Sequence, residues 1–411
     1  MKTEQTGKGR CLILGASHAG VNVAFHLRQE GWTGEIILID GQGVIPYHRP
    51  PLSKTLLSGE KELSDIYLKP EKSYINNDIQ LTLGKSVASI HKSNNTVFLN
   101  NGEEISYDKL VLATGANPLI PPVPGLDATR PNIFLIRTQR DISGLKSALT
   151  KGKKVAIIGG GYIGLEVAAS LKKVGLDVSI FEREERLLSR VTSPVMSDFF
   201  KKLHESHGVL ILTSAHVDRI LELDQRYVLH TDHGKTEPFD IVVVGTGITP
   251  NLDLAYKTKL DINDGILVDQ NCTTSHENIW AAGDCTRFFS KRYNQMVRLE
   301  SVQNATDQAK VVAASICGKD VVYDPVPWFW SDQFDVKLQI AGLSTGYTDL
   351  VIREKDKLHF SVWYFNGEDL LSVDAVNDTK SYVASLKAMR SSNRVNKEAI
   401  SDLSFDLKNL V

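Results

Sequence analysis

A glycine fingerprint that occurs twice, each time between a β-branched run and a helix-like run, restricts the fold of this chain more than any other feature. The first copy, Gly15-Ala16-Ser17-His18-Ala19-Gly20, ends the run CLIL and opens AGVNVAFHLRQEG. The second, Gly159-Gly160-Gly161-Tyr162-Ile163-Gly164, ends KKVAII and opens YIGLEVAASLKKVG. Strand, glycine turn and helix in this order predict a βαβ unit. Its helix amides carry a partial positive charge, about half a unit, that favours a phosphate. Each unit then offers an acid where the fold places a carboxylate for ribose hydroxyls: Asp40 ends EIILID, and Glu182 ends DVSIFE. Two dinucleotide sites are therefore expected. Ser17 stands where the middle glycine is usual, and it is small enough for a pyrophosphate to approach the backbone. Glu182 repels a 2′-phosphate, so NADH is expected over NADPH. Arg183 and Arg186 could tolerate such a phosphate, but the run EREER reads more simply as a solvated turn.

At 411 residues the chain exceeds one ordinary core. The Pro-rich stretch Leu119–Pro131, within NPLIPPVPGLDATRP, suits a crossing between domains, and a second crossing is expected near Ile248–Asn251. After Pro327 the pattern changes to period-two alternation, with Leu358, Phe360, Val362 and Tyr364 predicted on one face of a strand; a helix through Tyr382, Leu386 and Met389 follows. The predicted fold class is α/β, with two Rossmann-like domains and a C-terminal α+β domain. The boundaries are 1–118 with 251–326, 119–250, and 327–411. Lys and Arg number 47 against 49 Asp and Glu, which leaves no global signal for nucleic acid. Four scattered cysteines (Cys11, Cys272, Cys285, Cys317) lack the spacing of a zinc site or a dithiol centre. No metal site is expected. The polar N-terminus and the lack of a long apolar run predict a cytoplasmic protein without membrane association.

Three further segments carry a resemblance. They are Ala113-Thr114-Gly115, the run from Gly245 through Gly247 to Asn251, and the strand-like run from Thr274 that ends Ala281-Ala282-Gly283-Asp284. Together with the fingerprints they resemble the two-dinucleotide-binding flavoproteins that include glutathione reductase. That likeness implies FAD at the first fingerprint (Gly15, Ser17, Ala19, Gly20, Asp40), NADH at the second (Gly159, Gly161, Tyr162, Ile163, Gly164, Glu182), and Asp284 on the flavin ribityl chain. Thr114, Gly115 and Gly247 belong to the implied cofactor contacts. Four longer words are more specific: Arg49-Pro50-Pro51-Leu52-Ser53-Lys54, the run from Gly161 to Glu166, Glu300-Ser301-Val302, and Trp328-Phe329-Trp330-Ser331-Asp332-Gln333. Over nearly the whole chain they resemble the FAD-dependent ferredoxin reductases of bacterial oxygenase systems.

This second likeness implies Lys54 beside the flavin N5, paired with Glu166, and Val87 meeting the adenine side through its backbone. Arg49, Arg137 and Val302 are implied FAD contacts. Trp330 is placed near the flavin edge, although buried tryptophans such as Trp328 and Trp330 are by default core anchors. The helix that opens at Val302 would stabilise negative charge developing near the flavin N1. The implied activity passes electrons from NADH through FAD to a [2Fe–2S] ferredoxin that supplies an oxygenase, such as a cytochrome P450 or a ring-hydroxylating dioxygenase. An acidic ferredoxin would need a basic patch, for which Lys291, Arg292, Arg298 and Lys310 are candidates. Two alternatives stand beside this reading. One is an NADH oxidase or small-molecule reductase of the same fold, whose thiol-based members need a cysteine that VIPYHRPPLSK lacks. The other is a signalling flavoprotein similar to apoptosis-inducing factor, against which the missing targeting segment counts.

Overall fold

The computed structural model describes residues 8–391 and 394–410. The described residues form two compact units, the first comprising 8–49, 63–117 and 249–325 and the second 50–62, 118–248, 326–391 and 394–410.

In the first unit, five parallel strands are ordered Ile279–Ala281, Lys109–Leu112, Arg10–Leu14, Glu35–Asp40, Ile79–Leu83. The Arg10–Leu14 strand is central, and its Cys11, Leu12, Ile13 and Leu14 side chains are buried, as a parallel strand covered on both faces requires. Helix His18–Gln29 leaves the end of that strand and packs against helix Val302–Ile316. A small antiparallel sheet, Val87–His91, Thr96–Leu99 and Glu104–Ser106, completes this unit's larger elements.

The second unit repeats the plan. Its parallel sheet is ordered Leu210–Leu212, Asp177–Phe181, Lys154–Ile158, Ile241–Val244, Ile133–Leu135, with helix Tyr162–Lys173 leaving the central strand. The C-terminal part is an antiparallel sheet ordered Trp328–Gln333, Val336–Gly342, Asp369–Val376, His359–Asn366, Asp349–Asp356, closed by helix Thr379–Ser391. The expected strand forms, and burial extends to both of its faces. The strand His359–Asn366 is buried on both faces from Phe360 through Phe365, whereas Leu358 is exposed. Trp363 and Phe365 face the helix-covered core, while the Phe360 ring lies edge-on to Phe199 of helix Pro194–Ser206. The strand sits between two layers, so alternation marks two buried faces rather than one.

Candidate functional site

Both fingerprints fold alike. Gly15 and Gly159 take φ of +108° and +109°, a left-handed region open to glycine, and donate their amides to Ile39 and Phe181 at 2.8 Å. The last glycine of each copy brings the helix against the turn. A Cβ on Gly20 would lie 1.9 Å from the Gly15 carbonyl oxygen, and one on Gly164 2.1 Å from that of Gly159. Neither fingerprint helix has a side-chain cap, in contrast to helix Val302–Ile316, where Ser301 accepts from the Asn304 amide. First-turn amides thus remain as donors, the arrangement a pyrophosphate requires. At Gly161 an added Cβ would meet nothing within 4 Å, which explains why serine is accommodated at the equivalent Ser17.

The two acids are equivalent as well. Asp40 accepts from the Ala16 and Gln42 amides, both at 2.7 Å. Glu182 accepts from the Gly160 amide at 2.5 Å and from the Glu184 amide at 2.8 Å. A carboxylate offers about four lone-pair sites, so each acid keeps acceptor capacity for ribose hydroxyls. The residues therefore fit a dinucleotide at each fingerprint.

Around the first fingerprint, Arg49 Nε donates to Ser17 Oγ at 3.3 Å and Nη1 to the Tyr47 hydroxyl at 2.8 Å. Ala19 is buried, and a Cβ on Gly283 would come within 3.2 Å of its methyl, so strand-end Gly283-Asp284 reaches this helix. The Gly283 amide donates to Gln308 on helix Val302–Ile316 at 2.8 Å, which ties Asp284 to the helix that Val302 begins. Thr114 Oγ1 donates to the Asn251 carbonyl, and the Asn251 amide to the Gly115 carbonyl, both at 2.9 Å. Val87 begins the small antiparallel sheet opposite Leu99.

In the second unit, the buried Glu166 carboxylate gathers three donors: Lys54 Nζ at 2.9 Å, Ser53 Oγ at 2.6 Å and Ser331 Oγ at 2.7 Å. Glu166 is 3% exposed and Lys54 16%, so this is no surface salt bridge. The network continues. Gln333 donates to Ser331 Oγ at 3.1 Å and accepts from His204 Nε2 at 2.9 Å. That bond fixes the proton on Nε2, and burial holds the imidazole neutral with its pKa lowered to about 4. Arg137 donates its amide to Asp141, the partner in the capping box that opens helix Gln139–Ala148. Gly247 takes φ of +116° and accepts from the Leu119 amide, and Ile163 is exposed on the first turn of its helix. Trp328 and Trp330, whose size alone would make them core anchors, are only half-buried. They line a surface groove of about 190 Å³ with Phe329, Lys337, Gln339 and Tyr382.

Two arginines depart from expectation. Arg186 is bound by its own loop, donating to the Thr192 and Ser189 carbonyls at 2.8 Å and to Ser197 Oγ at 2.7 Å, so it is not available to a 2′-phosphate. Arg298 is ion-paired with Glu300 and Asp264 and only 17% exposed, which removes it from the basic patch; Lys291, Arg292 and Lys310 are exposed. Sequence reasoning missed the Ser331–Gln333–His204 extension. Its one signal is two polar residues at period two on a strand, where burial of one face is the norm. All four cysteines are free, and burial pushes the Cys11, Cys272 and Cys285 thiols up, so they are poor thiolate nucleophiles. Among the described residues, no cluster of three or more His, Cys, Asp or Glu could hold a metal, and no helix is long and apolar enough to cross a membrane.

Comparison with known proteins matches residues 9–309 to the pyridine nucleotide-disulphide oxidoreductase family and 328–411 to the reductase C-terminal family. Putidaredoxin reductase of Pseudomonas putida is 38% identical over 405 residues, 97% of this chain and 96% of that protein. Rhodocoxin reductase of Rhodococcus erythropolis is 40% identical over 399 residues, 97% of this chain and 93% of that one. The crystal structure of the covalent putidaredoxin reductase–putidaredoxin complex superposes with a TM-score of 0.94 at 38% identity, covering 98% of each chain. The chain belongs to the putidaredoxin reductase-like, FAD-dependent ferredoxin reductases.

Proposed function

We propose that this enzyme carries electrons from NADH through FAD to a [2Fe–2S] ferredoxin that supplies an oxygenase. FAD, when bound, supplies the chemistry that accepts two electrons as hydride and releases them singly. The protein's part is to bind, orient and set charge. The observation that carries the reading is the duplicated fingerprint: two uncapped helix ends, each beside a carboxylate that retains acceptor capacity. Gly15, Ser17, Ala19, Gly20, Asp40, Arg49, Val87, Thr114, Gly115, Arg137, Asp284 and Val302 are assigned to FAD. Gly159, Gly161, Tyr162, Ile163, Gly164 and Glu182 are assigned to NADH, and Gly247 and Trp330 remain cofactor contacts of either kind. Lys54 is assigned to the flavin, with Glu166 as the partner that fixes its ammonium. Protonated, buried thiols argue against a thiol-based oxidase or disulphide reductase, and four free cysteines suit a reducing cytoplasm.

The test is reduction of cytochrome c by NADH with and without candidate [2Fe–2S] proteins. Strong dependence on one of them, weakening with salt, supports the reading and a basic docking surface that includes Lys310. Rapid NADH consumption with oxygen alone, indifferent to any ferredoxin, would replace it with the oxidase alternative.

A further inference from the structure

We propose that Asp374, on the C-terminal sheet, is a positioning residue for nicotinamide dinucleotide binding, acting through the segment between Glu182 and Ser193. The inference rests on the assignment of Gly159–Gly164 and Glu182 to NADH.

Asp374 is 1% exposed, in strand Asp369–Val376, and is held by hydroxyls rather than by a cation. Thr192 Oγ1 donates a hydrogen bond to it, and the Tyr364 hydroxyl donates at 2.7 Å. Ser193 Oγ in turn lies 2.9 Å from the Tyr364 hydroxyl. Thr192 and Ser193 end the loop that begins at Glu182, and the loop is tied to the second fingerprint at two earlier points. Glu182 accepts from the Gly160 amide, and the Leu188 amide donates to the Gly160 carbonyl at 3.1 Å. Leu188 takes φ of +55°, unusual for a branched side chain, and the Leu187 methyl lies where any Cβ on Gly160 would have to go. Arg186 staples the loop internally through the Thr192 carbonyl. A continuous set of bonds therefore runs from Asp374 through Thr192 and Arg186 to the segment that carries Glu182.

A local preference is overridden here. Ser193 is the N-cap residue of helix Pro194–Ser206, yet its side chain makes no cap bond and turns to Tyr364 instead. A second link is independent of the loop. Tyr162, first residue of the fingerprint helix, has a buried hydroxyl without a partner. Its ionisation is suppressed by burial first, and then by the nearby Asp374, Tyr364 and Glu166. Asp374 is thus close enough to the Tyr162 hydroxyl to oppose its ionisation. Its acceptor oxygen sets where Thr192 sits, and Thr192 sets the loop that presents Glu182.

The test uses holoenzyme variants Thr192→Val, Asp374→Asn and Glu182→Ala. NAD+ affinity, KM and kcat with ferricyanide, the NADH-to-NADPH ratio, FAD content and melting temperature are measured. Thr192→Val keeps the side-chain shape and removes one donor. It should weaken NAD+ binding and raise KM for NADH by on the order of tenfold, with kcat changed less than about twofold and full FAD content. Asp374→Asn, whose amide oxygen still accepts from Thr192, should stay within about threefold of the wild type. Unchanged NAD+ affinity in Thr192→Val, with only a lowered melting temperature, would show that Asp374 is merely structural. Weakened binding in Glu182→Ala combined with unchanged binding in Thr192→Val overturns this inference alone. Unchanged binding in Glu182→Ala removes the NADH assignment and the inference with it.

Discussion

Replacing Glu166 by glutamine tests the buried network with the least change of shape. The carboxylate serves Lys54 and Ser331 through Oε1 and Ser53 through Oε2. An amide presents one oxygen and one NH2 group, so one serine hydroxyl must face a donor whichever way the amide turns. Lys54 also loses its counter-charge. Over 2.9 Å, at an effective dielectric near 20, the attraction is on the order of 6 kcal/mol, most of which offsets the cost of desolvating both groups. Leaving one buried charge without its partner costs about 3–5 kcal/mol. Because Lys54 is 16% exposed and can regain some water, the lower end, about 3 kcal/mol, is expected. Urea unfolding of the FAD-bound enzyme measures that loss. If Lys54 stands beside the flavin, the uncompensated ammonium should also raise the flavin midpoint potential and so increase the driving force for reduction by NADH. Stability within about 0.5 kcal/mol of the wild type, with an unmoved potential, would refute both the energetic argument and the placement of Lys54.

Asp284→Ala should purify with little or no FAD, read as the ratio of absorbance at 450 to 280 nm; a full complement would reject the ribityl assignment. Glu182→Ala should lower kcat/KM for NADH and narrow the preference over NADPH, since it removes a ribose acceptor and a charge that repels phosphate, and steady-state kinetics with both nucleotides decides it. His204, neutral with a pKa lowered from 6.5 to about 4, contributes stability that is present above pH 6.5 and lost as pH falls towards 4, up to about 3 kcal/mol. His204→Asn should therefore flatten the acid limb of a stability-against-pH curve. Asp374, raised by burial from 3.8 to about 6, acts in the opposite sense. Its contribution is full below pH 3.8 and is lost as pH rises to 6, so Asp374→Asn should gain on the wild type over that window in the same denaturation series.

What the sequence made legible follows from how far each contact reaches along the chain. Each fingerprint is a strand, a turn and a helix in a single stretch, so its glycines, its open helix end and its strand-terminal acid were all readable by spacing. The Lys54–Glu166 pair was not readable that way, and entered only because whole words of sequence resembled a family. Its supporting residues, Ser53, Ser331, Gln333 and His204, lie on three different elements far apart in the chain, and serine or glutamine on a strand carries no local mark of burial. The burial of the tryptophans and of the strand was not readable for a related reason. Period two in LHFSVWYF identifies a strand but cannot say whether one face or both are covered, and Trp328 and Trp330 line an open groove in spite of their size. Ser193 is the most instructive residue. Local chemistry places it at a helix N-cap, where its hydroxyl would satisfy an orphan amide, yet it bonds Tyr364 from the C-terminal sheet. A residue that gives up its local optimum for a distant partner is one where local and global preferences conflict, and such conflicts concentrate where function constrains the fold. Here the conflict falls at the end of the loop that carries Glu182.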